Sequence, residues 1–146
     1  MIIPDVNLIL YATISAFPQH PAARPWWERT LSEPETVGIA PVVVAGFLRL
    51  STNPRVLTEP LSVTAALDHV EEWLKRPMVT SLSSDAQHLQ ESLHLIRLVG
   101  TAGNLTTDAQ IAAHARLERA TVASNDTDFG RFPDIRTVNP LRGSDN

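Results

Sequence analysis

The chain has 146 residues, 43% of them hydrophobic and 19% charged, with no cysteine and a formal net charge of −4. This is the length and composition of one globular domain, able to bury a core without cross-links. It excludes a disulfide framework and thiolate metal sites, and it excludes a global basic field, so local arginines or bound cations would have to supply any attraction to nucleic acid.

Short β-like runs alternate with longer helical patterns, which predicts β/α units and a mainly parallel sheet. Met1 to Val6 is a short apolar run holding Asp5 and reads as the first strand. It lacks the basic region and apolar stretch of a secretion signal, and no later run approaches the roughly 18 residues that span a bilayer, so a cytoplasmic location and no membrane contact are expected. Leu8 to Ala16 reads as a helix, and Pro21 to Leu31 as a second, with Ala22, Trp26 and Trp27 toward the core. Thr36 to Ile39 is a β run. Pro41 opens a helix that passes Leu50 and stops near Asn53-Pro54. Ser62 caps a helix to Lys75, with Ala66, Leu67, Val70, Trp73 and Leu74 at helical spacing. Met78 to Leu82 reads as a strand, and Asp85 caps a helix to about Val99 with Leu89, Leu93 and Ile96 in register. Gly100 to Asn104 is a connection, after which Thr106 or Thr107 caps a helix from Asp108 to about Arg119. Thr121 to Ser124 is a strand, Asn125 to Asp128 a loop, Phe129 to Phe132 one helical turn, and Arg136 to Val138 the last strand. The expected organisation is a single domain over residues 1–141 and a short polar tail over 142–146.

Three acidic places share one property: each falls at the C-terminal end of a strand or the N-terminal end of a helix. In an open α/β sheet these points lie on one edge, where ligands bind. Asp5 ends the first strand, Asp126 and Asp128 follow the strand Thr121 to Ser124, and Asp108 opens a helix. Two carboxylates at about 4 Å repel by about 4 kcal/mol at an effective dielectric of 20, so a shared proton, an arginine or a cation must offset them. Oxygen-only clusters suit Mg²⁺ or Mn²⁺, and a cation of that kind serves phosphodiester hydrolysis. Singly, each acid has a simpler reading. Asp108 complements a helix dipole, and Asp126 and Asp128 are ordinary turn residues. Asp5, set in an apolar run, is costly unless something uses it.

The blocks carrying these acids resemble the PIN-domain ribonucleases, in particular the VapC-like toxins of type II toxin–antitoxin pairs. They are Ile3-Pro4-Asp5-Val6-Asn7-Leu8-Ile9-Leu10-Tyr11-Ala12, the stretch Pro41 to Arg55, Asn104 to Ala115, and Ala123-Ser124-Asn125-Asp126-Thr127-Asp128-Phe129-Gly130-Arg131-Phe132. The resemblance covers almost the whole chain, and it implies a three-layer α/β/α sandwich around a mainly parallel sheet. It implies an acidic pocket for Mg²⁺ or Mn²⁺, cleavage of RNA, a cognate antitoxin and a homodimer. By position, Asp5 and Asp108 resemble the metal ligands and Asp126 the further catalytic acid, with Asp128 a possible addition. Asn7 and Ser124 resemble the polar residues that support the acids. One departure stands out: Gly46 occupies the place where the family usually carries a glutamate. Metal binding at Asp5 and Asp108 is therefore a firmer expectation than full catalytic strength.

Arg49, on the helix after Pro41, either pairs with an acid, meets RNA phosphate, or is a surface arginine with a packed stem. Arg131 and Arg136 are weaker phosphate candidates near the acidic loop. The five histidines form no short metal-binding pair, His114 reads as surface or core packing, and the three tryptophans read as core or interface. The leading expectation is a metal-dependent endoribonuclease toxin. A degenerate module that binds RNA or a protein without efficient cleavage is the alternative, and a DNA nuclease on the same scaffold the third.

Overall fold

The computed structural model describes residues 1–143. Its strands are β1 (Ile2–Pro4), β2 (Val37–Ile39), β3 (Val79–Ser81), β4 (Thr121–Ala123) and β5 (Arg136–Val138). They form one sheet in the order β3-β2-β1-β4-β5, with every neighbouring pair parallel. The helices are α1 (Val6–Thr13), α2 (His20–Thr30), α3 (Pro41–Ser51), α4 (Val63–Leu74), α5 (Ala86–Val99) and α6 (Leu105–Glu118), with one 3₁₀ turn at Asp128–Arg131. This is the expected α/β fold, a parallel sheet flanked by helices. No described helix is long and apolar enough to cross a membrane.

The topology decides where a ligand can sit. From the central β1 the chain moves outward through β2 to β3, then returns to β4 on the other side of β1 and continues to β5. The strand order therefore reverses between β1 and β4, and a crevice opens beyond their C-terminal ends. The register sets Pro4 opposite Ala123, so the residues that leave these two strands emerge side by side.

Burial explains why such short strands hold. Ile3, Val37, Ile39 and Val122 are buried in a sheet covered on both faces, as parallel sheets require. Trp73 anchors one helical layer, with its ring edge-to-face against Trp27 at 5.7 Å and Phe47 at 4.9 Å. Trp26, Trp27 and Trp73 are thus core residues, as expected. Helix α6 buries Ile111 together with Ala109, Ala112, Ala113 and Ala115, and the small alanine side chains allow close approach on several faces.

Several local expectations are corrected. The first strand is shorter than Met1 to Val6, because Asp5 already caps α1, which ends at Thr13 rather than Ala16. Helix α2 starts at His20 and buries Ala23 in place of Ala22. Helix α6 begins at Leu105, not Asp108: Gly103 takes a φ of 56°, Leu105 is buried, and neither Thr106 nor Thr107 is the cap. On α4, Leu67 and Leu74 are exposed while Ala66, Val70 and Trp73 carry the packing. Helix α5 turns its expected leucine stripe outward, leaving Leu89 59% and Leu93 57% exposed. Its buried face is His88, Ser92 and Leu95. His88 faces α6 because its Nε2 bonds the Gln110 carbonyl at 2.9 Å and its ring stacks on His114 with centroids 3.7 Å apart. A satisfied histidine pair here outcompetes an apolar stripe. Of the polar tail expected over 142–146, residues 144–146 lie outside the described residues.

Candidate active site

The crevice at the β1/β4 switch point is acidic. Asp5 leaves β1 in extended backbone, and its side chain caps α1, with Oδ1 accepting the Val6 N–H at 2.7 Å. From β4, Ser124 donates its hydroxyl to Asp5 Oδ2 at 2.7 Å, and its oxygen accepts the Asp126 N–H at 2.9 Å. Asp126 Oδ1 in turn accepts the Asp128 N–H at 2.9 Å. The buried Phe129 and Phe132 pin the turn that follows. Asp5 is 4% exposed, whereas Asp126 and Asp128 are exposed and Asp108 lies between these extremes.

A pocket of about 280 Å³ gathers these groups, with Asp5, Asn7, Arg49, Thr107, Asp108 and Asp126 on its walls. One carboxylate oxygen from each of Asp108, Asp126 and Asp128 lies within 4.8 Å of the other two. Residues separated by more than a hundred positions in sequence therefore converge. Asp128 joins this trio without lining the pocket, while Asp5 lines the pocket behind it.

The electrostatics follow from the packing. Burial raises the pKa of Asp5, opposed by the Ser124 and Val6 hydrogen bonds and reinforced by the Asp126 charge. Burial also pushes Asp108 up to about 7, and the charges of Asp5, Asp126 and Asp128 push it the same way. Among the described residues, no lysine or arginine forms an ion pair with any of the four acids.

Arg49 is exposed at this pocket without a carboxylate partner among the described residues, so the ion-pair reading of this residue is set aside. Asn7 lines the pocket, but no hydrogen bond joins it to an acid among the described residues. Arg136 does not stay near the acidic loop. It starts β5 at the opposite edge of the sheet, where it donates to the Arg119 carbonyl.

Gly46 also lies on the pocket wall and is buried. A Cβ built there would stand 2.9 Å from Val6 Cγ2 and 3.3 Å from Val6 Cγ1. The space in which an α3 side chain would start is thus taken by the residue that follows Asp5.

The PIN domain family matches residues 2–135. The chain belongs to this family. It is 45% identical over 142 residues to Ribonuclease VapC33 of Mycobacterium tuberculosis, covering 97% of this chain and 99% of that one. Among solved structures, M. tuberculosis VapC20, described as a sarcin-ricin loop cleaving toxin, superposes with a TM-score of 0.69 at 19% identity, covering 93% of this chain and 99% of that one. VapBC2 from Rickettsia felis, bound to a promoter DNA fragment, gives 0.67 at 21% identity, covering 95% and 98%. These two similarities speak for the fold. In this PIN domain the acids found by pattern share one crevice, whereas Val6 and Thr107 escaped notice as pocket walls. Thr107 sits beside Asp108 and read as a cap, and nothing in the sequence marks the contact between Val6 and Gly46.

Proposed function

We propose that this chain is a metal-dependent endoribonuclease, the toxin of a toxin–antitoxin pair. One observation carries the metal: Asp5, Asp108, Asp126 and Asp128 gather at one crevice with no cationic side chain paired to them among the described residues, and burial, reinforced by the other three charges, makes Asp108 hard to ionise. An all-oxygen donor set of this kind fits Mg²⁺ or Mn²⁺ and not a soft metal. Asp5 and Asp108 would hold the ion, with Asp126 as a further acid and Asp128 within reach. Bound there, it would supply charge neutralisation, polarisation of a phosphoryl group and acidification of a water.

The chain's own residues do the rest. Ser124 and the Val6 N–H fix both oxygens of Asp5, so the carboxylate meets its ligand without reorienting. Asp108 stands at a pKa where it exchanges a proton near neutral pH. Arg49 offers the exposed cation that a phosphate entering an acidic pocket needs. RNA as substrate is supported by the full-length kinship with VapC33, named a ribonuclease, and an antitoxin by the VapBC likeness. The homodimer remains part of the proposal through the family resemblance.

Purified protein should cleave structured RNA with Mn²⁺ or Mg²⁺ and stop with EDTA, and Asp5→Asn or Asp108→Asn should abolish cutting. Activity that needs no metal and survives both substitutions would overturn the mechanism. The Gly46–Val6 contact favours a second reading, a module that binds RNA without efficient cleavage, since no α3 carboxylate joins the cluster. That module would show little Mn²⁺ affinity and no metal-dependent products.

A further inference from the structure

We infer that a trough on the other side of Asp126 carries the RNA strand onward from the point of cleavage, with Arg142 on a backbone phosphate; this rests on the ribonuclease reading above. Asp126 lines both the acidic pocket and this second hollow, which measures about 270 Å³. The two share one carboxylate as their common wall. Beyond Asp126 the lining changes character, to the hydroxyls of Thr127 and Thr137, the amide of Asn139 and the guanidinium of Arg142.

The trough is built rather than incidental. It lies where β4 and β5 end, on the same sheet edge as the acids. The Ser124 N–H bonds the Val138 carbonyl at 2.9 Å, and Asn139 Nδ2 donates to Asn125 Oδ1 at 3.1 Å, tying the two exit segments together. Asn139 Oδ1 accepts the Leu141 N–H at 3.0 Å, which fixes the turn leading to Arg142. Among the described residues Arg142 forms no ion pair with a carboxylate.

A strand with one phosphate over the acids has chain on both sides of it. Arg49 stands at the pocket and Arg142 at the trough, so each arm meets an exposed cation. No aromatic side chain lines the trough, which leaves hydroxyl, amide and guanidinium donors suited to phosphate and sugar and no platform for stacking bases. The contact is therefore sequence-independent. It also answers how a chain of net charge −4 holds a polyanion: the cations are few and placed along the strand's path.

The test titrates a short fluorescein-labelled single-stranded RNA of mixed sequence into Asp108→Asn protein, which removes cleavage, at several salt concentrations. Arg142→Ala should weaken binding several-fold and make the negative slope of log K against log salt shallower by about 0.7, the loss of one phosphate contact on a single strand. Arg142→Lys should restore the slope, and Arg97→Ala, at the far end of α5, should leave it alone. In cleavage-competent protein, Arg142→Ala should raise KM more than it lowers kcat. An Arg142→Ala protein with unchanged slope and KM, beside a wild type that cuts RNA, overturns the trough alone. A wild type that neither binds nor cuts RNA with Mn²⁺ overturns the ribonuclease reading and the trough with it.

Discussion

Ser124 donates to Asp5 across the switch point of the sheet, Oγ to Oδ2 at 2.7 Å, while its oxygen holds the Asp126 N–H. One hydroxyl thus joins the exits of β1 and β4 and sets the relative position of two of the four acids. It also works against burial in keeping Asp5 ionisable. Ser124→Ala should leave the fold intact but lower Mn²⁺ affinity about 10- to 100-fold, the usual cost of losing a group that orients a metal ligand. Isothermal titration with Mn²⁺ reads this directly. An unchanged affinity would mean that Asp5 needs no such support.

Asp108 gives the site a pH signature. Its pKa of about 7 in the folded, metal-free protein exceeds the ordinary 3.8. The folded state therefore holds the extra proton between these values, and stability falls as pH rises through about 7. Metal-free Asp108→Asn should melt a few degrees above wild type at pH 8 and lose that advantage toward pH 4, as scanning calorimetry would show. A cation must displace the same proton, so Mn²⁺ affinity should climb about tenfold per pH unit below pH 7 and flatten above it. Affinity that is level from pH 5 to 8 would contradict this.

The parts of the fold that could be read ahead were those with a strong local cause. Proline at the start of α3, serine before α4 and aspartate before α5 each marked a helix start that the structure keeps. The acids could be read because strand ends converge on one edge whatever the details of the loops. What stayed hidden was set by tertiary packing. The α6 start at Leu105 depends on burying that leucine, and the outward turn of Leu89 and Leu93 depends on a histidine pair across two helices. The trough beyond Asp126 needs β4 and β5 side by side, which no periodicity shows.

The Val6–Gly46 contact makes a prediction about coupling. A Cβ at position 46 would press on Val6, a short branched side chain with little room to yield. Overpacking of this kind costs about 1–3 kcal/mol, set against about 1 kcal/mol gained by replacing glycine with alanine in a helix. Gly46→Ala should therefore be neutral to destabilising despite its better helix propensity. In the Val6→Ala background the same change should be favourable. A double-mutant cycle by urea denaturation should give a coupling of about 1 kcal/mol or more. Additive effects would show that Val6 moves aside freely, and then a glutamate at position 46 would be accessible to the acidic site after all.

The stacked His88 and His114 rings should make the α5–α6 packing acid-labile. Both are buried, and burial together with the neighbouring His88 lowers His114 from 6.5 to about 4, only partly opposed by Asp85. Elsewhere between these helices, Arg116 Nε and Glu91 Oε1 are paired at 2.9 Å. A lowered histidine pKa means that the unfolded chain binds the proton more readily. The contribution of His114 is thus complete above pH 6.5, is lost as pH falls toward 4, and changes no further below that. The shift corresponds to at most about 3 kcal/mol. Asp108 acts with the opposite sign over much of this range, so the loss should be clearest in the Asp108→Asn protein. Urea melts of that variant between pH 7 and 4 should show stability falling, and His114→Phe added to it should flatten the curve. Since α6 carries Asp108 near its start, hydrogen-exchange protection along α6, corrected for the intrinsic pH dependence of exchange, should fall first as the pH drops. A curve that stays as steep without His114 would place the acid sensitivity elsewhere in the fold.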